Sequence, residues 1–420
     1  MKKLLLLLFS VCVFVSCSEE IPEEKASLKF GRTVMAYLIS NNSPGYNLDK
    51  NLKLNLVDMY SGLSKSDGPC TLLVYYRPYS NDADGLSGPS LLQYISDGEG
   101  NINSRPCLQG ADLTPSRVIA EAVCSPYTDN NHNATDPQIM ARVLGDMVKL
   151  SRSTRYGLIF GSHGKSWMKG KTVPGRSFGD DDGYEINIPE MAETLKGVFS
   201  GKQLDFILFD ACMMATAEVC YEFRDVTDYL VGSVVETHVY GHPYDVILPK
   251  LYERDVPYSD ICKDYIDYSR QLKAWGTCAA IDCKEIGELA GWVKANLDAY
   301  SEKLPALDIK TIQQYGKDTY EYFSFDVEDF FRVLNDNNVP EGLEEVLNKV
   351  VVAKEALYGV QYSIVQNPLY QIEEGRFCGI GMYFPFRTGK SAWDSYYESS
   401  VSWYKAVQWD RLKTSLTGKR

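Results

Sequence analysis

Two stretches of the sequence decide the fold: Tyr156-Gly-Leu-Ile-Phe-Gly-Ser-His163-Gly164 and Asp205-Phe-Ile-Leu-Phe-Asp210-Ala-Cys212. Each is an apolar run that ends at a reactive side chain. Short apolar runs bounded by turn residues are typical of buried strands in a parallel sheet. Ligands of such sheets bind beyond the carboxyl ends of the strands. We therefore expect His163 and Cys212 to lie at the edge of the sheet where this class of fold carries out its chemistry.

Further apolar runs alternate with helical patterns along the chain. Strands are predicted at 33–39, 71–76, 158–162, 206–210, 229–235, 277–281 and 379–384. Apolar residues at helical spacing predict helices between these strands, and in the last third at 286–304, 327–334 and 343–357. Strands that alternate with helices indicate a mostly parallel sheet covered on both faces. The fold class is therefore α/β, with a mainly helical C-terminal subdomain that contributes a late strand.

A cysteine and a histidine at neighbouring strand ends suit nucleophilic catalysis. A free thiol has a pKa of about 8.5, so little thiolate exists near neutrality without a base. An imidazole at His163 can take the proton of Cys212 and later pass it to the leaving amine. Gly164 has no Cβ, and its N–H together with that of Cys212 can form an oxyanion hole. The alternative interpretation is that Cys212 is inert core packing and His163 a hydrogen-bonded residue at a strand end.

Several segments resemble the clostripain-type cysteine peptidases, family C11, whose clan has a caspase-like fold. They are Met35-Ala-Tyr-Leu-Ile-Ser-Asn-Asn42, Ser162-His163-Gly164 with Trp167, Phe209-Asp-Ala-Cys-Met-Met214 and Gly379-Ile-Gly-Met-Tyr-Phe-Pro385. The resemblance runs over about residues 30 to 390. It implies a caspase-like three-layer sandwich and protein or peptide substrates with Arg or Lys at the cleaved bond.

Asp210 precedes the nucleophile by two residues, so on a strand the two side chains point to the same side. In the family the matching aspartate lines the first specificity pocket, where a carboxylate can hold guanidinium through a bidentate pair. The alternative role is an N-cap for a helix beginning near Met213. Glu236 and Asp245 are further candidates for a pocket charge. Family members often carry Gly-Trp-x-Tyr where this chain has His242 after glycine, so the shape of the cleft wall is left open.

The loop 165–183 contains several basic residues and the run Asp180-Asp181-Asp182-Gly183. Clostripain-type enzymes process themselves between the histidine and the cysteine, so the resemblance implies a cut here. Arg176 followed by Ser177 is the first choice, Lys171 the second and Lys169 the third. The alternative is a solvated surface loop. No cofactor is required; calcium binding by the aspartate run is left open, although the run lacks the ligand spacing of an EF-hand.

The composition and the N-terminus limit the partners and the location. The net charge of −13 argues against nucleic acid or an anionic membrane surface as the main partner. Residues 1–16 resemble a bacterial lipoprotein signal peptide, with Cys17 as the lipidated residue and 17–29 as a tether. We therefore predict an exported lipoprotein of the outer membrane or cell surface that contacts the membrane only through its lipid. Nine cysteines remain beyond Cys17, an odd number that leaves at least one free thiol.

The sequence thus predicts a catalytic domain over 30–285, a helical subdomain over 286–420, and a cysteine endopeptidase. Two alternatives remain: a catalytically silent lipoprotein that uses the fold for binding, and another acyl-transfer enzyme such as an amidase or transpeptidase. His238 and His242 are rival bases, but neither directly follows a buried strand or precedes glycine. His132, in an Asn-rich loop, is predicted to lie at the surface. The oligomeric state and the physiological substrate are left open.

Overall fold

The structure is a computed structural model that describes residues 31–42, 47–79, 84–151, 153–168, 177–318, 321–361 and 370–418. The signal peptide, the tether and Cys17 lie outside these residues. In chain order the strands are β1 (Thr33–Ile39), β2 (Cys70–Arg77), β3 (Ser90–Ser96), β4 (Asn101–Ile102), β5 (Arg105–Pro106), β6 (Val123–Pro126), β7 (Arg155–Gly161), β8 (Phe178–Asp181), β9 (Tyr184–Ile186), β10 (Gln203–Asp210), β11 (Tyr229–Gly232), β12 (Thr277–Asp282), β13 (Lys317–Asp318), β14 (Glu321–Tyr322), β15 (Phe325–Asp326), β16 (Val351–Ala356), β17 (Gly359–Gln361), β18 (Tyr370–Ile372) and β19 (Gly381–Met382).

Helices lie between most of these strands. They are α1 (Asp49–Ser64), α2 (Pro115–Glu121), α3 (Pro137–Leu150), α4 (Ile188–Phe199), α5 (Ala217–Phe223), α6 (Tyr244–Leu251), α7 (Tyr258–Gln271), α8 (Ile286–Ala299), α9 (Val327–Leu334), α10 (Leu343–Val350), α11 (Ser391–Ser400), α12 (Ser402–Ala406) and α13 (Lys413–Thr417). Short 3₁₀ turns occupy Gly110–Asp112, Leu304–Ala306, Ile309–Thr311 and Trp409–Leu412.

Eleven strands form the main sheet, in the order β16-β12-β11-β10-β7-β1-β2-β3-β4-β5, with β6 paired to β3. The five central strands, β11, β10, β7, β1 and β2, are parallel. The strands on both flanks pair antiparallel. The predicted α/β class with its caspase-like layers is confirmed, and the parallel pairing is confined to the centre of the sheet.

Each central strand buries side chains on both faces. Along β1, Val34, Ala36 and Leu38 face the layer of α1, α2, α6 and α7. Met35, Tyr37 and Ile39 face the opposite layer, which holds α3, α4, α5 and the C-terminal helices. This alternation follows from the two-residue period of a strand. Burial on both faces explains why the strands are continuous apolar runs. Polar and reactive side chains are therefore expected beyond the strand ends.

The C-terminal third differs in two details from the expectation. The predicted helix 343–357 ends at Val350, and β16 then joins the main sheet beside β12. The predicted strand 379–384 is reduced to β19, which pairs with β15 outside the main sheet. The division at residue 286 stays a prediction. Among the described residues, no helix has both the length and the apolar character needed to cross a bilayer.

Candidate active site

His163 and Cys212 follow two neighbouring parallel strands. β7 and β10 pair in a register that sets Gly161 opposite Asp210. His163 lies two residues beyond the end of β7, and Cys212 two residues beyond the end of β10. Neighbouring strands are about 4.8 Å apart. The register therefore brings the two predicted catalytic residues to one edge of the sheet, and both side chains are half-buried there.

Gly164 lies directly against the nucleophile turn. A Cβ on this residue would stand 2.9 Å from the Cβ of Ala211 and 3.2 Å from the backbone nitrogen of Cys212. Gly164 and Phe178 are paired in an antiparallel bridge. The hydrogen bonds of this bridge are made by the residues on either side of the two, not by Gly164 or Phe178 themselves. Within the described ranges, no backbone carbonyl accepts a hydrogen bond from the N–H of Gly164 or from that of Cys212. Two backbone donors are thus available beside the thiol.

The turn that carries Cys212 is tight. Met213 adopts a left-handed conformation with φ of 61°, which is uncommon for a residue with a side chain. Its N–H donates to the carbonyl of Val235 at 3.0 Å. Helix α5 begins only at Ala217, with Thr216 as its N-cap residue. The alternative role of Asp210 as a helix cap is therefore wrong, because six residues, 211–216, separate its strand from the helix.

The thiol of Cys212 contacts the backbone of Thr237. The Thr237 N–H donates to Sγ at 3.3 Å, and the thiol faces the Thr237 carbonyl at 3.8 Å. Burial raises the pKa of the Cys212 thiol to about 12, and the negative charge of Glu236 adds to the rise. A nucleophile must be a thiolate. Burial and the charge of Glu236 therefore both disfavour the thiolate in this arrangement.

Asp210 is buried and hydrogen-bonded two residues before the nucleophile. Tyr244 Oη donates to Oδ2 of Asp210 at 2.9 Å, and the His242 N–H approaches the same oxygen at 3.4 Å. The carboxylate is 8% exposed. Burial raises its pKa to about 6, while the hydrogen bond from Tyr244 opposes this rise. The carboxylate carries its charge at neutral pH and can attract a cation.

The other predicted pocket charges have different surroundings. Glu236 is buried beside the nucleophile, where its charge acts on Cys212, and its carbonyl accepts a hydrogen bond from Trp275 Nε1 at 2.9 Å. Asp245 stands in the first turn of α6 and pairs with Lys65 at 3.2 Å on the surface. The structure therefore brings Asp210 and Glu236 close to Cys212, whereas the carboxylate of Asp245 is engaged by a lysine.

The remaining histidines are buried packing residues. His238 Nε2 pairs with Ser269 Oγ at 2.9 Å, and its ring stacks on Tyr265. His242 packs against the same tyrosine. Burial lowers the pKa of His238 to about 4 and that of His242 to about 3, so both are neutral. The predicted surface position of His132 is wrong, because its ring is buried and pairs with Tyr75 Oη at 2.6 Å.

The aspartate run forms a hairpin between β8 and β9. Asp182 and Gly183 both have positive φ, which a tight two-residue turn requires. The carboxylate of Asp181 pairs with Arg77 at 3.0 Å and accepts the Ala134 N–H at 2.6 Å. In the part of the chain that the structure describes, no group of three or more metal-ligating side chains occurs. Calcium binding by the aspartate run stays an open prediction.

The predicted processing residues Lys169, Lys171 and Arg176 lie outside the described residues. The residue after Arg176 is described, and it is fixed. Ser177 is 1% exposed, its hydroxyl donates to the Met168 carbonyl at 2.9 Å, and its own carbonyl accepts the Lys165 N–H. A protease needs an accessible, extended segment on both sides of the bond. The bond after Arg176 thus has a buried, hydrogen-bonded residue on one side.

A buried network joins the histidine loop to the C-terminal helices. The indole of Trp167 packs against the rings of Tyr383 and Tyr397, with centroids 4.9 and 4.7 Å away. Glu218 of α5 is fully buried, and its Oε1 accepts the Tyr383 N–H and the Tyr397 hydroxyl, each at 2.8 Å. Burial raises the pKa of Glu218 to about 7.

Sequence reasoning missed Thr237 and Tyr244, which contact the thiol and the pocket carboxylate. Tyr244 had a signal, because it occupies the tyrosine position of the Gly-Trp-x-Tyr pattern, but no role followed from it. Thr237 had none, because it acts through its backbone N–H.

The sequence matches the model of the clostripain family, C11, over residues 111–415. Among curated proteins, none matches the chain. Solved structures with the same fold include a secreted C11 cysteine protease from Bacteroides thetaiotaomicron bound to an irreversible peptide inhibitor, at 23% identity and a TM-score of 0.69, covering 90% of this chain and 99% of that one. An inactive zymogen of a C11 protease from Parabacteroides distasonis is similar at 21% identity, TM-score 0.69, with 90% and 98% covered.

Proposed function

The chain belongs to the clostripain family of cysteine peptidases, and from this premise we propose that it is an endopeptidase that cuts after Arg or Lys with Cys212 and His163. The observation that carries the proposal is the register of β7 and β10, which sets the two residues at the ends of adjacent parallel strands. Neither residue alone would suffice, because a buried thiol without a base stays protonated.

The proposed reaction begins when His163 accepts the proton of the Cys212 thiol. The thiolate attacks the carbonyl carbon of the scissile bond, and the C–N bond breaks as His163 gives the proton to the leaving amine. Water then hydrolyses the thioester and restores the thiol. Gly164 and Cys212 would donate their N–H groups to the oxyanion, a role supported by the fact that neither N–H is bonded to a backbone carbonyl among the described residues.

Selectivity for basic residues is proposed to come from Asp210. Its carboxylate is ionised above about pH 6 and lies two residues from the nucleophile. Glu236 would add negative charge beside the thiol. Asp245 would contribute only if the substrate displaces Lys65.

We further propose that cleavage in the loop after the histidine activates the enzyme. The raised pKa of the thiol is the supporting observation, because the arrangement described here disfavours the thiolate. Lys171 is the preferred residue for this cut, since Ser177 beside Arg176 is buried. No cofactor enters the proposed mechanism.

Export and lipidation at Cys17 remain a proposal that the apolar run and the cysteine of the N-terminal sequence support. Mass spectrometry of the protein purified from its own membranes tests it. A fatty-acylated N-terminal peptide that begins at Cys17 is expected.

Profiling cleavage of a random peptide library tests the proposed function against its rivals. We expect cuts after Arg and Lys by the wild type and none by Cys212→Ala. A binding protein without activity would give no cuts. An amidase or transpeptidase would give products that differ from simple hydrolysis at internal peptide bonds.

A further inference from the structure

The carboxylate of Asp210 is held through one of its two oxygens. Tyr244 Oη and the His242 N–H both approach Oδ2, at 2.9 and 3.4 Å. Among the described residues, no donor contacts Oδ1. A carboxylate oxygen has about two lone-pair positions. The acceptor capacity of Oδ2 is therefore taken up inside the protein, and that of Oδ1 is not.

The main chain also covers Oδ2. Gly241 has a φ of 67°, and a Cβ at this position would overlap Oδ2 of Asp210. The same Cβ would stand 2.8 Å from the amide oxygen of Asn55. The backbone of Gly241 and the side chain of Asn55 therefore crowd Oδ2 on one side.

We propose that the Tyr244 hydroxyl, by occupying Oδ2 of Asp210, makes the first pocket a single-point acceptor that takes lysine about as well as arginine. The proposal rests on the proposed function of Asp210. Arginine gains over lysine at a carboxylate when its planar fork contacts both oxygens. A lysine ammonium is a point charge and loses nothing when only Oδ1 is open. The bidentate pair expected from the sequence is therefore not available here.

The hydroxyl of Tyr244, rather than its ring, carries this role. The ring is fully buried at the start of α6, where it packs in the core with Ile247 and Leu248. Phenylalanine would keep that packing and remove only the donor. Among the described residues, only the 3.4 Å contact from the His242 N–H would then hold the carboxylate. The carboxylate could turn about its terminal torsion and offer both oxygens to a guanidinium. Tyr244→Phe should therefore favour arginine specifically.

The test compares kcat/KM for two peptides that differ only by Lys or Arg at the cleaved bond. For the wild type we expect an Arg to Lys ratio below about fivefold. In Tyr244→Phe we expect this ratio to rise by at least about threefold. Tyr265→Phe is the matched control, because Tyr265 is an equally buried tyrosine whose hydroxyl has no hydrogen-bond partner among the described residues. Its ratio should equal that of the wild type.

A purely structural role of Tyr244 would lower both kcat/KM values together and leave their ratio unchanged, which would overturn the proposal. So would a wild-type Arg to Lys ratio above about fivefold, and this measurement decides the matter even if Tyr244→Phe does not fold. A wild type that cuts at neither residue while cutting elsewhere would refute the proposed function of Asp210 and the inference with it.

Discussion

Gly164 and Cys212 are in backbone contact: a Cβ on Gly164 would stand 2.8 Å from the carbonyl oxygen of Cys212 and 3.2 Å from its nitrogen. Real side chains essentially never approach this closely. The contact joins the loop after β7 to the turn after β10, so it fixes the histidine segment relative to the nucleophile.

Replacing Gly164 by alanine is expected to lower kcat by about 100-fold or more, because the added methyl group must displace the Cys212 turn and the oxyanion donors. Steady-state kinetics measure the change. Gly145→Ala in α3 is the control, since a Cβ there meets no atom within 4 Å. It should retain full activity and gain stability, as alanine favours a helix. Equal activity of both variants would contradict the assigned role of Gly164.

Cys212→Ala and His163→Ala should each abolish peptidase activity, a loss of about 1000-fold or more, because one provides the nucleophile and the other its base. Peptide hydrolysis and thermal unfolding are measured on the same samples. Cys124→Ala is the thiol control. Cys124 is exposed and lies on β6, not beyond the carboxyl ends of the central strands, where Cys212 lies. Activity that survives in clean Cys212→Ala protein would eliminate the assignment.

Activity on basic substrates should fall as the pH drops through about 6, because protonation of Asp210 removes the charge that attracts the substrate cation. The acid limb of kcat/KM against pH measures this. Asp210→Asn should lose the limb together with about 100-fold of kcat/KM for Lys and Arg peptides. Asp260→Asn, on the surface of α7, is the control and should keep both the acid limb and the wild-type kcat/KM. A preference for acidic or apolar residues would disprove the pocket role.

The purified wild-type chain is expected to split into two associated pieces, with Cys212 on the C-terminal one, while Cys212→Ala stays whole. N-terminal sequencing should find the cut after Lys171 more often than after Arg176, because Ser177 is buried. Lys171→Gln should slow the cut more than Arg176→Gln. An active but uncut wild type would show that processing is unnecessary. If the Cys212→Ala protein is cleaved when it is incubated without the wild type, a contaminating protease is responsible.

The stability of the protein should fall as the pH rises from about 4.5 to about 7 because of Glu218. Its carboxyl ionises near 4.5 when exposed and near 7 in the folded state, so the native form binds the proton more tightly. The penalty is complete above that range and on the order of 3 kcal/mol. Glu218→Gln should therefore raise the melting temperature more at about pH 8 than at about pH 5.

Thermal melts at the two pH values measure this difference. Any fixed packing cost of the glutamine cancels between them. Glu193→Gln on the exposed side of α4 is the control and should show no difference. A pH-independent effect of Glu218→Gln would mean that the buried carboxyl is not the titrating group.

The strands that carry the site were predictable because burial on both faces leaves a continuous apolar run. β1 was predicted with its observed bounds, and β7 and β10 were predicted with their carboxyl ends placed within one residue. β16 was not predicted as a strand. Its sequence, Val351-Val-Ala-Lys-Glu-Ala356, continues the apolar spacing of α10, and its alanine, lysine and glutamate suit a helix. Only its pairing with β12 makes it a strand, and that contact is far away in sequence.

The placement of His163 and Cys212 beyond strand ends was predictable for the same reason, since each follows an apolar run. The surroundings of Asp210 were not. The Tyr244 hydroxyl contacts Asp210 from 34 residues further along the chain, and the pattern that contains Tyr244 gives no sign of this contact. His132 was misplaced because its asparagine-rich neighbours hide a ring that is buried against Tyr75.

The buried indole of Trp167 has a consequence for the enzyme after cleavage. A cut beyond Met168 leaves His163 on the N-terminal polypeptide and Cys212 on the C-terminal one. The N-terminal polypeptide then ends shortly after Trp167, whose indole is enclosed by Tyr383 and Tyr397 of the C-terminal polypeptide. Dissociation would require this ring and the whole of β7 to leave the core. Dilution should therefore not inactivate the two-chain enzyme, and the step from one chain to two is irreversible in practice.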